Sequence, residues 1–313
     1  MTSKITNKPY ICITVCTRQR PKMLRELIDS YLKLDVPNNV NISLDIVEND
    51  TSQTVAPIVD AIEKCELHPI NYHLETKLGI PCARNRCLTI AMKKKATHIA
   101  FVDDDETFSQ DWLTTIWAYY CTHNPSTAIQ GRVIPIFPDN TKAYIREFFQ
   151  PKPKKTGDEL VMCATNNVIV PIQPLIDHSI TFDESAPFSM GEDSKFFRLA
   201  KAKGIQLVYC SEAIIYENIP SNRAKLMWLS RRHFLIGINL SVHKGPQTAA
   251  QLANSTITSV PKMLIRLTKV LLQLAFSQRE KAIKNWLKIC KSTGQLLGQF
   301  GLKESSYKKT DGY

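Results

Sequence analysis

Residues 97–106 read Thr-His-Ile-Ala-Phe-Val-Asp-Asp-Asp-Glu, an apolar run followed at once by four acidic residues. The run predicts a buried strand over residues 97–102, so the tetrad 103–106 stands at the carboxyl end of that strand. Neighbouring carboxylates repel one another unless a cation offsets their charge, and carboxylate oxygens are ligands that Mg2+ or Mn2+ prefers. The stretch therefore favours a site for a metal and a diphosphate. An acidic turn that caps a helix starting near Ser109 explains the tetrad alone equally well.

Strands alternate with helices through the first half of the chain. Apolar runs predict strands at residues 10–15, 42–47, 70–74 and 97–102, with helices between and after them at residues 21–34, 54–65, 81–95 and 109–121. This order predicts an α/β fold with a mostly parallel central sheet and helices on both faces. Ligands of such sheets bind beyond the carboxyl ends of the strands, where polar segments stand at residues 17–21, 48–52 and 103–106.

The composition is that of an ordinary globular protein. With 313 residues, 43% hydrophobic and 22% charged, the chain is long enough for one large domain and an appendage. The first eight residues lack an apolar segment, and the most apolar later stretch, residues 264–276, is interrupted by Arg266 and Lys269. Neither a signal peptide nor a membrane span is therefore expected. Nine cysteines without a CxxC pair or zinc-ligand spacing favour a reducing, cytoplasmic location.

The net charge of +11 and the isoelectric point near 9.2 require an anionic partner. A nucleic acid, a phosphorylated substrate and an anionic membrane surface all meet that requirement. The sequence contains no zinc finger, no RNA-recognition aromatic motif and no long basic arm, so no nucleic-acid partner is expected. The glycine-rich motifs of dinucleotide-binding and P-loop proteins are also missing from the sequence. Other residues must therefore hold any phosphate group.

Five motifs occur in an order that resembles a known family. They are Thr17-x-x-Arg20-Pro21, Val47-Glu48-Asn49-Asp50, Gly79-Ile80-Pro81-Cys82-Ala83-Arg84-Asn85, Phe101-Val102-Asp103-Asp104-Asp105-Glu106 with Trp112-Leu113, and Gly191-Glu192-Asp193. Together they resemble the inverting family 2 glycosyltransferases, which have the Rossmann-like GT-A fold. The most similar subgroup is that of the succinoglycan-type and lipooligosaccharide-type bacterial glucosyltransferases. That subgroup also shows a motif like Glu217-x-x-Pro220-x-x-Arg223, and the similarity covers roughly residues 9–240.

The resemblance implies a domain organisation and a reaction. Residues 1–240 would form the GT-A domain, with a nucleotide half near residues 9–125 and an acceptor half near residues 126–240, and residues 241–313 would form a basic helical appendage. The expected activity is metal-dependent, inverting transfer of a hexose, with glucose favoured, from a nucleotide-diphosphate sugar, with a UDP-sugar favoured. The expected acceptor is a saccharide of bacterial surface polysaccharide, lipooligosaccharide or exopolysaccharide, often lipid-linked in this family.

The resemblance also implies roles for the polar residues at the strand ends. Asp105, Asp103 and Glu217 would hold the Mn2+ or Mg2+ ion, with Asp105 as its direct ligand. The residues expected to contact the nucleotide sugar are Thr17, Arg20, Glu48, Arg84, Asp103, Asp104 and Arg223. The family usually has Asp at the position of Glu48, so the chain departs from the motif there. A solvated arginine at a helix start also explains Arg84, and an ordinary ion pair also explains Glu217.

The general base is expected at Asp193, with Glu192 as the second candidate. An inverting displacement needs a carboxylate that faces the acceptor hydroxyl on the side opposite the leaving group. Residues 190–194 open a predicted helix that ends before Gly204, and the helix dipole keeps a carboxylate in the first turn ionised. The spacing alone favours two acidic residues that only cap the helix. The family motif reverses that preference.

Two amphipathic helices are predicted in the tail. Apolar residues share one helix face at positions 260, 264, 267, 271, 274 and 275, and residues 277–280 match a capping box that starts a second helix. The second helix carries a lysine stripe, defined as Lys281, Lys284, Lys288 and Lys291. We expect the first helix to pack on the domain and the lysine stripe to face anionic lipid on the inner face of the cytoplasmic membrane. Packing of both helices on the protein's own core is the alternative, and residues 151–157 and 245–253 are expected to be loops.

Two other functions remain compatible with the sequence. A metal-dependent nuclease or phosphohydrolase also clusters carboxylates, although such an enzyme normally uses two metals and an activated water. A catalytically silent protein of the same fold would bind nucleotide sugars or saccharides without transferring them. The intact Asp103, Asp105 and Asp193 oppose the silent protein.

Overall fold

The computed structural model describes residues 8–150, 152–188, 190–242 and 248–302. The expectations for residues 1–7, for Pro151, for residues 243–247 and for residues 303–313 lie outside the described residues. None of the helices in these ranges is long and apolar enough to cross a membrane.

The strands and helices of the described ranges alternate in the first half of the chain, as the sequence predicts. The strands are β1 (Tyr10–Thr17), β2 (Asn41–Glu48), β3 (Ile70–Leu74), β4 (His98–Asp103), β5 (Glu106–Phe108), β6 (Thr127–Ile136), β7 (Val168–Pro171) and β8 (Gln206–Asn218). The helices are α1 (Pro21–Tyr31), α2 (Ala56–Asp60), α3 (Ile80–Lys93), α4 (Trp112–Tyr120), α5 (Ala143–Arg146), α6 (Ile172–Asp177), α7 (Glu192–Ala202), α8 (Leu226–Val242), α9 (Ala249–Ala275) and α10 (Arg279–Gln299).

The eight strands form one sheet in the order β3-β2-β1-β4-β7-β6-β8-β5. β3, β2, β1 and β4 are parallel neighbours, as the alternation of strands and helices predicts. β6 and β8 are parallel to each other, whereas β7 and β5 run antiparallel to their neighbours. The predicted α/β fold is therefore confirmed, with a parallel half from the start of the chain and a mixed half after it.

Helices cover both faces of the sheet because strand side chains alternate between two apolar cores. In β1, Ile11, Ile13 and Val15 belong to the core closed by α1 and α4, and Cys12 belongs to the core closed by α3 and α7. β4 also contributes to both cores, as is typical of a central parallel strand. The burial holds the carboxyl ends of β1, β2 and β4 side by side at one edge of the sheet.

Two elements of the first half differ from the expectation. α2 begins at Ala56 because Pro57 fits the first turn of a helix, and it ends at Asp60 instead of residue 65. β5 begins at Glu106, the last residue of the acidic tetrad, and pairs with β8, so that Glu106 lies opposite Glu217. A strand of three residues has too little periodicity to be found in a sequence.

The start of the first tail helix and the N-terminal caps of both tail helices differ from the expectation. α9 starts at Ala249, so the predicted loop at residues 245–253 is wrong from that residue onward, and the helix continues through Pro261. Its start carries a capping box formed by Thr248 and Gln251. The capping box predicted at residues 277–280 is wrong, because Gln278 is the N-cap of α10 and makes no side-chain cap hydrogen bond.

The two tail helices also pack in a different order from the one expected. α10 packs against α8, where its Ile283 and Leu287 join Leu229 in an apolar cluster. α9 packs mainly against α10, so the expected packing of the first tail helix on the domain is wrong. Within the lysine stripe, Lys284 forms an ion pair with Glu147. The second tail helix is thus the one that joins the tail to the domain.

Candidate functional site

A cleft of about 690 Å3 opens where the parallel strands end. Its walls come from the ends of β1, β4 and β8, the first turns of α3 and α7, and one face of α8. The predicted site residues in the lining are Thr17, Arg20, Arg84, Asp103, Asp104, Asp105, Glu192, Asp193, Glu217 and Arg223. Residues more than 200 positions apart in the sequence therefore meet in one cleft.

Asp104 is buried and joins the turn after β4 to the end of β1. Thr17 Oγ1 donates to Asp104 Oδ2 at 2.8 Å, and Arg20 Nη1 donates to Asp104 Oδ1 at 2.7 Å. Burial raises the pKa of Asp104, Arg20 opposes that shift, and Asp105 adds to it. Thr17, Arg20 and Asp104, which are all predicted to contact the nucleotide sugar, thus form one hydrogen-bonded unit in the cleft wall.

Asp103 and Asp105 face two different arginines. Arg223 Nη1 donates to Asp105 Oδ2 at 2.9 Å, and Arg84 Nη2 lies 3.7 Å from Asp103 Oδ1. The side chain of Asp103 is 44% exposed to the cleft, whereas that of Asp105 is 7% exposed. Desolvation raises the pKa of Asp103 to about 7, against the effect of Arg84 and with a contribution from the neighbouring carboxylates. The ionised form of Asp103 is therefore less favourable in the cleft than in water.

Glu217 brings a further carboxylate to this cluster from β8. Burial raises the pKa of Glu217 to about 7, and the nearby Asp105 adds to the shift. Behind it, Glu106 Oε2 accepts from the backbone N–H of Asp103 at 2.8 Å, and Glu106 Oε1 has no hydrogen-bond partner in the described part of the chain. Burial and then Asp103 raise the pKa of Glu106 well above its ordinary value. Glu106 thus holds the turn of the tetrad from inside the protein.

The chemistry of these oxygens fits a hard divalent cation. Asp103, Asp105 and Glu217 are neighbouring carboxylates that repel one another, and this repulsion contributes to the raised pKa of Asp103 and of Glu217. A cation bound between them would relieve the repulsion. Within the described ranges, however, no group of three or more His, Cys, Asp or Glu side chains is already arranged as a metal site. One reason is that Arg223 holds an oxygen of Asp105.

α7 brings the two candidate bases to one wall of the cleft. Gly191 precedes the helix with φ of 94°, a left-handed conformation that glycine adopts readily. Glu192 forms a nearly buried ion pair with Arg84 of α3, with Nη1 and Oε1 2.5 Å apart. Asp193 lines the cleft, and its Oδ1 accepts from the backbone N–H of Ser194 at 2.6 Å. Glu192 is thus used to join two helices, while Asp193 presents its carboxylate to the cleft.

Glu48 does not line the cleft and is fully buried behind it. Its carboxylate accepts from the backbone N–H groups of Thr54 and Val55 and from Tyr72 Oη at 2.6 Å. The neighbouring Asn49 does line the cleft. The contact of Glu48 with the nucleotide base stays a prediction, and the structure shows Glu48 holding the loop that follows β2.

One face of α8 forms a further wall of the cleft. The residues of this wall are Trp228, Arg231, Arg232, Leu235, Ile236, Asn239 and Leu240. They are spaced by three or four positions, so their periodicity was readable in the sequence. Arg232 Cζ lies 5.1 Å from the ring centre of Trp228, and Asn239 Nδ2 donates to the carbonyl of Met190 before α7. Arg198 of α7 also lines the cleft and had no motif to identify it.

Comparison with known proteins gives a family and a relative. The model of the family "Glycosyl transferase family 2" matches residues 11–180. The succinoglycan biosynthesis protein ExoM of Rhizobium meliloti is 29% identical over 230 residues, which cover 73% of both chains.

Solved structures with a similar fold have low sequence identity to this chain. TarS of S. aureus, residues 1–349, has a TM-score of 0.55 and 17% identity, with 91% of each chain covered. The mannosyltransferase PcManGT of Pyrobaculum calidifontis, solved with GDP-Man and Mn2+, has a TM-score of 0.60 and 16% identity, with 96% of this chain and 89% of that chain covered. At these identities the similarity concerns the fold, which matches the mixed sheet and the C-terminal helices described above.

Proposed function

Because the chain belongs to glycosyl transferase family 2, we propose that it transfers a hexose, with glucose favoured, from a nucleotide-diphosphate sugar to a saccharide hydroxyl with inversion at the anomeric carbon. The protein is a glycosyltransferase with the GT-A fold. One observation carries the finer proposal: the first three residues of the acidic tetrad, Asp193 and seven arginines, Arg84 and Arg223 among them, line a single cleft. The family membership excludes the alternative of a nuclease or phosphohydrolase.

Asp193 acts as the general base in this proposal. The acceptor hydroxyl attacks the anomeric carbon, its proton passes to the Asp193 carboxylate, and the bond to the diphosphate oxygen breaks with both electrons leaving on the diphosphate. The position of Asp193 in the cleft lining, at the first turn of α7, supports this role. Glu192 acts as a positioning residue, since its ion pair with Arg84 fixes the start of that helix.

The nucleotide diphosphate binds on the other wall of the cleft. Arg84 and Arg223 stand on either side of the acidic tetrad and supply positive charge for the phosphates. The unit formed by Thr17, Arg20 and Asp104 is proposed to hold the nucleoside, with Asp103 beside it. Glu48 supports the base pocket from behind through the loop after β2.

Asp103, Asp105 and Glu217 are proposed to hold Mn2+ or Mg2+, which when bound neutralises charge on the departing diphosphate. The repulsion among these carboxylates, which contributes to the raised pKa of Asp103 and of Glu217, supports this assignment. Asp105 is paired with Arg223 in the structure, so cation binding must compete with that ion pair. We expect Arg223 to turn from Asp105 to the diphosphate when donor and cation are both present.

The donor and acceptor are inferred from relatives and are the least specific part of the proposal. A UDP-sugar is favoured, although similar folds were solved with UDP, as in TarS, and with GDP-Man. The relative named for succinoglycan biosynthesis supports a saccharide acceptor in surface polysaccharide or exopolysaccharide synthesis, with lipooligosaccharide and a lipid-linked acceptor as variants. We also propose that residues 9–125 bind the nucleotide, residues 126–240 bind the acceptor and residues 241–313 form a C-terminal region.

Isothermal titration with a panel of UDP-, GDP- and dTDP-sugars, with and without Mn2+, tests the donor and the cation together. Wild-type protein should bind one UDP-hexose, and Mn2+ should strengthen that binding at least tenfold, about 1.4 kcal/mol. Asp105→Asn should lose the effect of Mn2+. Asp193→Asn should bind the donor like wild type but transfer about a hundredfold more slowly.

Asp177→Asn is the matched control because Asp177 is exposed at the end of α6 and lies outside the cleft lining. It should bind and transfer like wild type. Donor binding that does not respond to Mn2+, or an Asp105→Asn variant with wild-type behaviour, rules out the cation site. Wild-type turnover in Asp193→Asn assigns the base to another residue.

A further inference from the structure

α9 turns its apolar side away from the protein. Among its 27 residues, Val270 is the buried side chain in the described part of the chain. We define the outer face of α9 by its exposed apolar residues, which are Ile257, Val260, Leu264, Ile265, Leu267, Leu271, Leu272 and Leu274. At about 100° per residue, these positions cover roughly half of the helix circumference. Monomeric proteins rarely leave a contiguous apolar surface of this length exposed.

The opposite side of α9 makes polar contacts with α10. Arg266 Nη1 donates to Ser292 Oγ at 2.9 Å, and Asn285 Nδ2 donates to Gln273 Oε1 at 3.0 Å. An amphipathic helix that packed on its own protein would do the reverse and bury its apolar side. The orientation of α9 therefore requires an apolar environment on the outside.

The charges around the outer face identify that environment. The sequence contains no Asp or Glu between Glu217 and Glu280. The cations on α9 itself are Lys262, Arg266 and Lys269. Lys262 and Lys269 are exposed and lie seven residues apart, on one flank of the outer face. A partner for this surface must therefore combine apolar groups with negative charge.

We propose that the outer face of α9 lies in the interface of a membrane that contains anionic phospholipid. The apolar side chains enter the acyl boundary, and Lys262 and Lys269 reach the headgroup phosphates. A second copy of the chain is a poorer partner, since two outer faces would bring lysines together with no acidic residue on either helix to pair with them. The helix lies on the membrane and does not cross it. This proposal does not depend on the proposed reaction.

Flotation of the full chain with vesicles tests the proposal. Wild-type protein should float with vesicles of phosphatidylcholine and phosphatidylglycerol at low salt, and the bound fraction should fall as salt rises. Leu264→Gln/Leu271→Gln should bind at least about tenfold more weakly, because two leucine side chains no longer leave water. Lys262→Gln/Lys269→Gln should bind about tenfold more weakly to the anionic vesicles and unchanged to phosphatidylcholine alone.

Leu67→Gln/Val161→Gln is the matched control because these two residues are at least as exposed and lie outside α9. It should float like wild type. Melting temperatures of all variants should agree within a few degrees, since every substituted side chain is already in water. Failure of the wild type to float at low salt overturns the proposal. Binding of Leu264→Gln/Leu271→Gln to vesicles as strong as that of wild type also overturns it. A wild-type dimer that becomes a monomer in this double variant overturns it as well.

Discussion

Replacing Arg84 by Met or Glu192 by Gln removes one partner of an ion pair between α3 and α7. The two side chains are 9% and 8% exposed, and they join residues 108 positions apart in the sequence. Arg84 belongs to the proposed nucleotide side of the cleft, and Glu192 is next to the proposed base. Loss of either partner should therefore affect both the stability of the fold and the position of α7.

The expected magnitude follows from burial. Removal of one partner of a buried pair typically costs about 3–5 kcal/mol, because the other charge remains in a poorly solvated place. Arg84 keeps Asp103 at 3.7 Å when Glu192 is replaced, so Glu192→Gln should be near the lower end, about 3 kcal/mol. Glu192 takes up a proton more readily when Arg84 is lost, because burial already raises its pKa. Arg84→Met should therefore also cost about 3 kcal/mol.

Urea unfolding of the two single variants and the double variant gives the coupling energy. The double variant should be little less stable than either single one, which corresponds to a coupling of about 2–3 kcal/mol. The control cycle uses Arg25→Met and Asp29→Asn, an exposed pair on α1 with side chains 51% and 46% exposed, where the coupling should be below about 0.5 kcal/mol. Single-variant effects that add within about 0.5 kcal/mol at the buried pair would show that the two residues do not stabilise the protein together.

Three further changes test other parts of the structure. Burial lowers the pKa of His98 to about 4, so the neutral form of His98 stabilises the fold above pH 6.5. This contribution, up to about 3 kcal/mol, is lost as the pH falls from 6.5 to 4. His98→Phe should remove this pH dependence of the unfolding free energy, measured by urea unfolding between about pH 4 and 7. Gly294→Ala would put a Cβ 1.9 Å from the Phe234 carbonyl oxygen, so its melting temperature should fall by several degrees. Gly301→Ala has open space around it and should lose less stability, about the 1–2 kcal/mol that the left-handed φ of 94° costs an alanine. Asn167→Ala leaves the buried Trp112 Nε1–H unpaired and should cost at least about 2 kcal/mol in urea unfolding.

The parallel half of the sheet was predictable because its strands and helices are long and alternate regularly. The acidic tetrad and the segment after β1 meet for the same reason, since parallel neighbours end at the same edge. β5 was not predictable, because three residues carry no period, and its partner β8 lies more than 100 positions away. Contacts over such distances depend on the order of the strands, which no local pattern contains.

The tail shows a different limit of sequence reasoning. An apolar stripe indicates that a helix needs an apolar neighbour, but it does not indicate whether that neighbour is the protein's own domain or something outside it. Both tail helices have such a stripe, and α10 rather than α9 packs on the domain. Glycines were the informative residues here, because Gly294 and Gly298 allow α10 to approach α8 closely. Their spacing of four positions puts them on one face of the helix.

The close approach of α10 to α8 connects the tail to the cleft. An added Cβ at Gly237 of α8 would lie 2.1 Å from the Lys291 carbonyl oxygen, and one at Gly298 of α10 would lie 1.9 Å from Ser241 Oγ. Because the two backbones are this close, neither helix can move along or away from the other without a loss of packing. The other face of α8 carries Trp228 and Arg232 into the cleft. A helix held on one side keeps the side chains of its other side in place, because an α-helix moves as a rigid unit. The C-terminal region therefore supports the wall of the cleft, although the sequence predicts a domain that ends at residue 240.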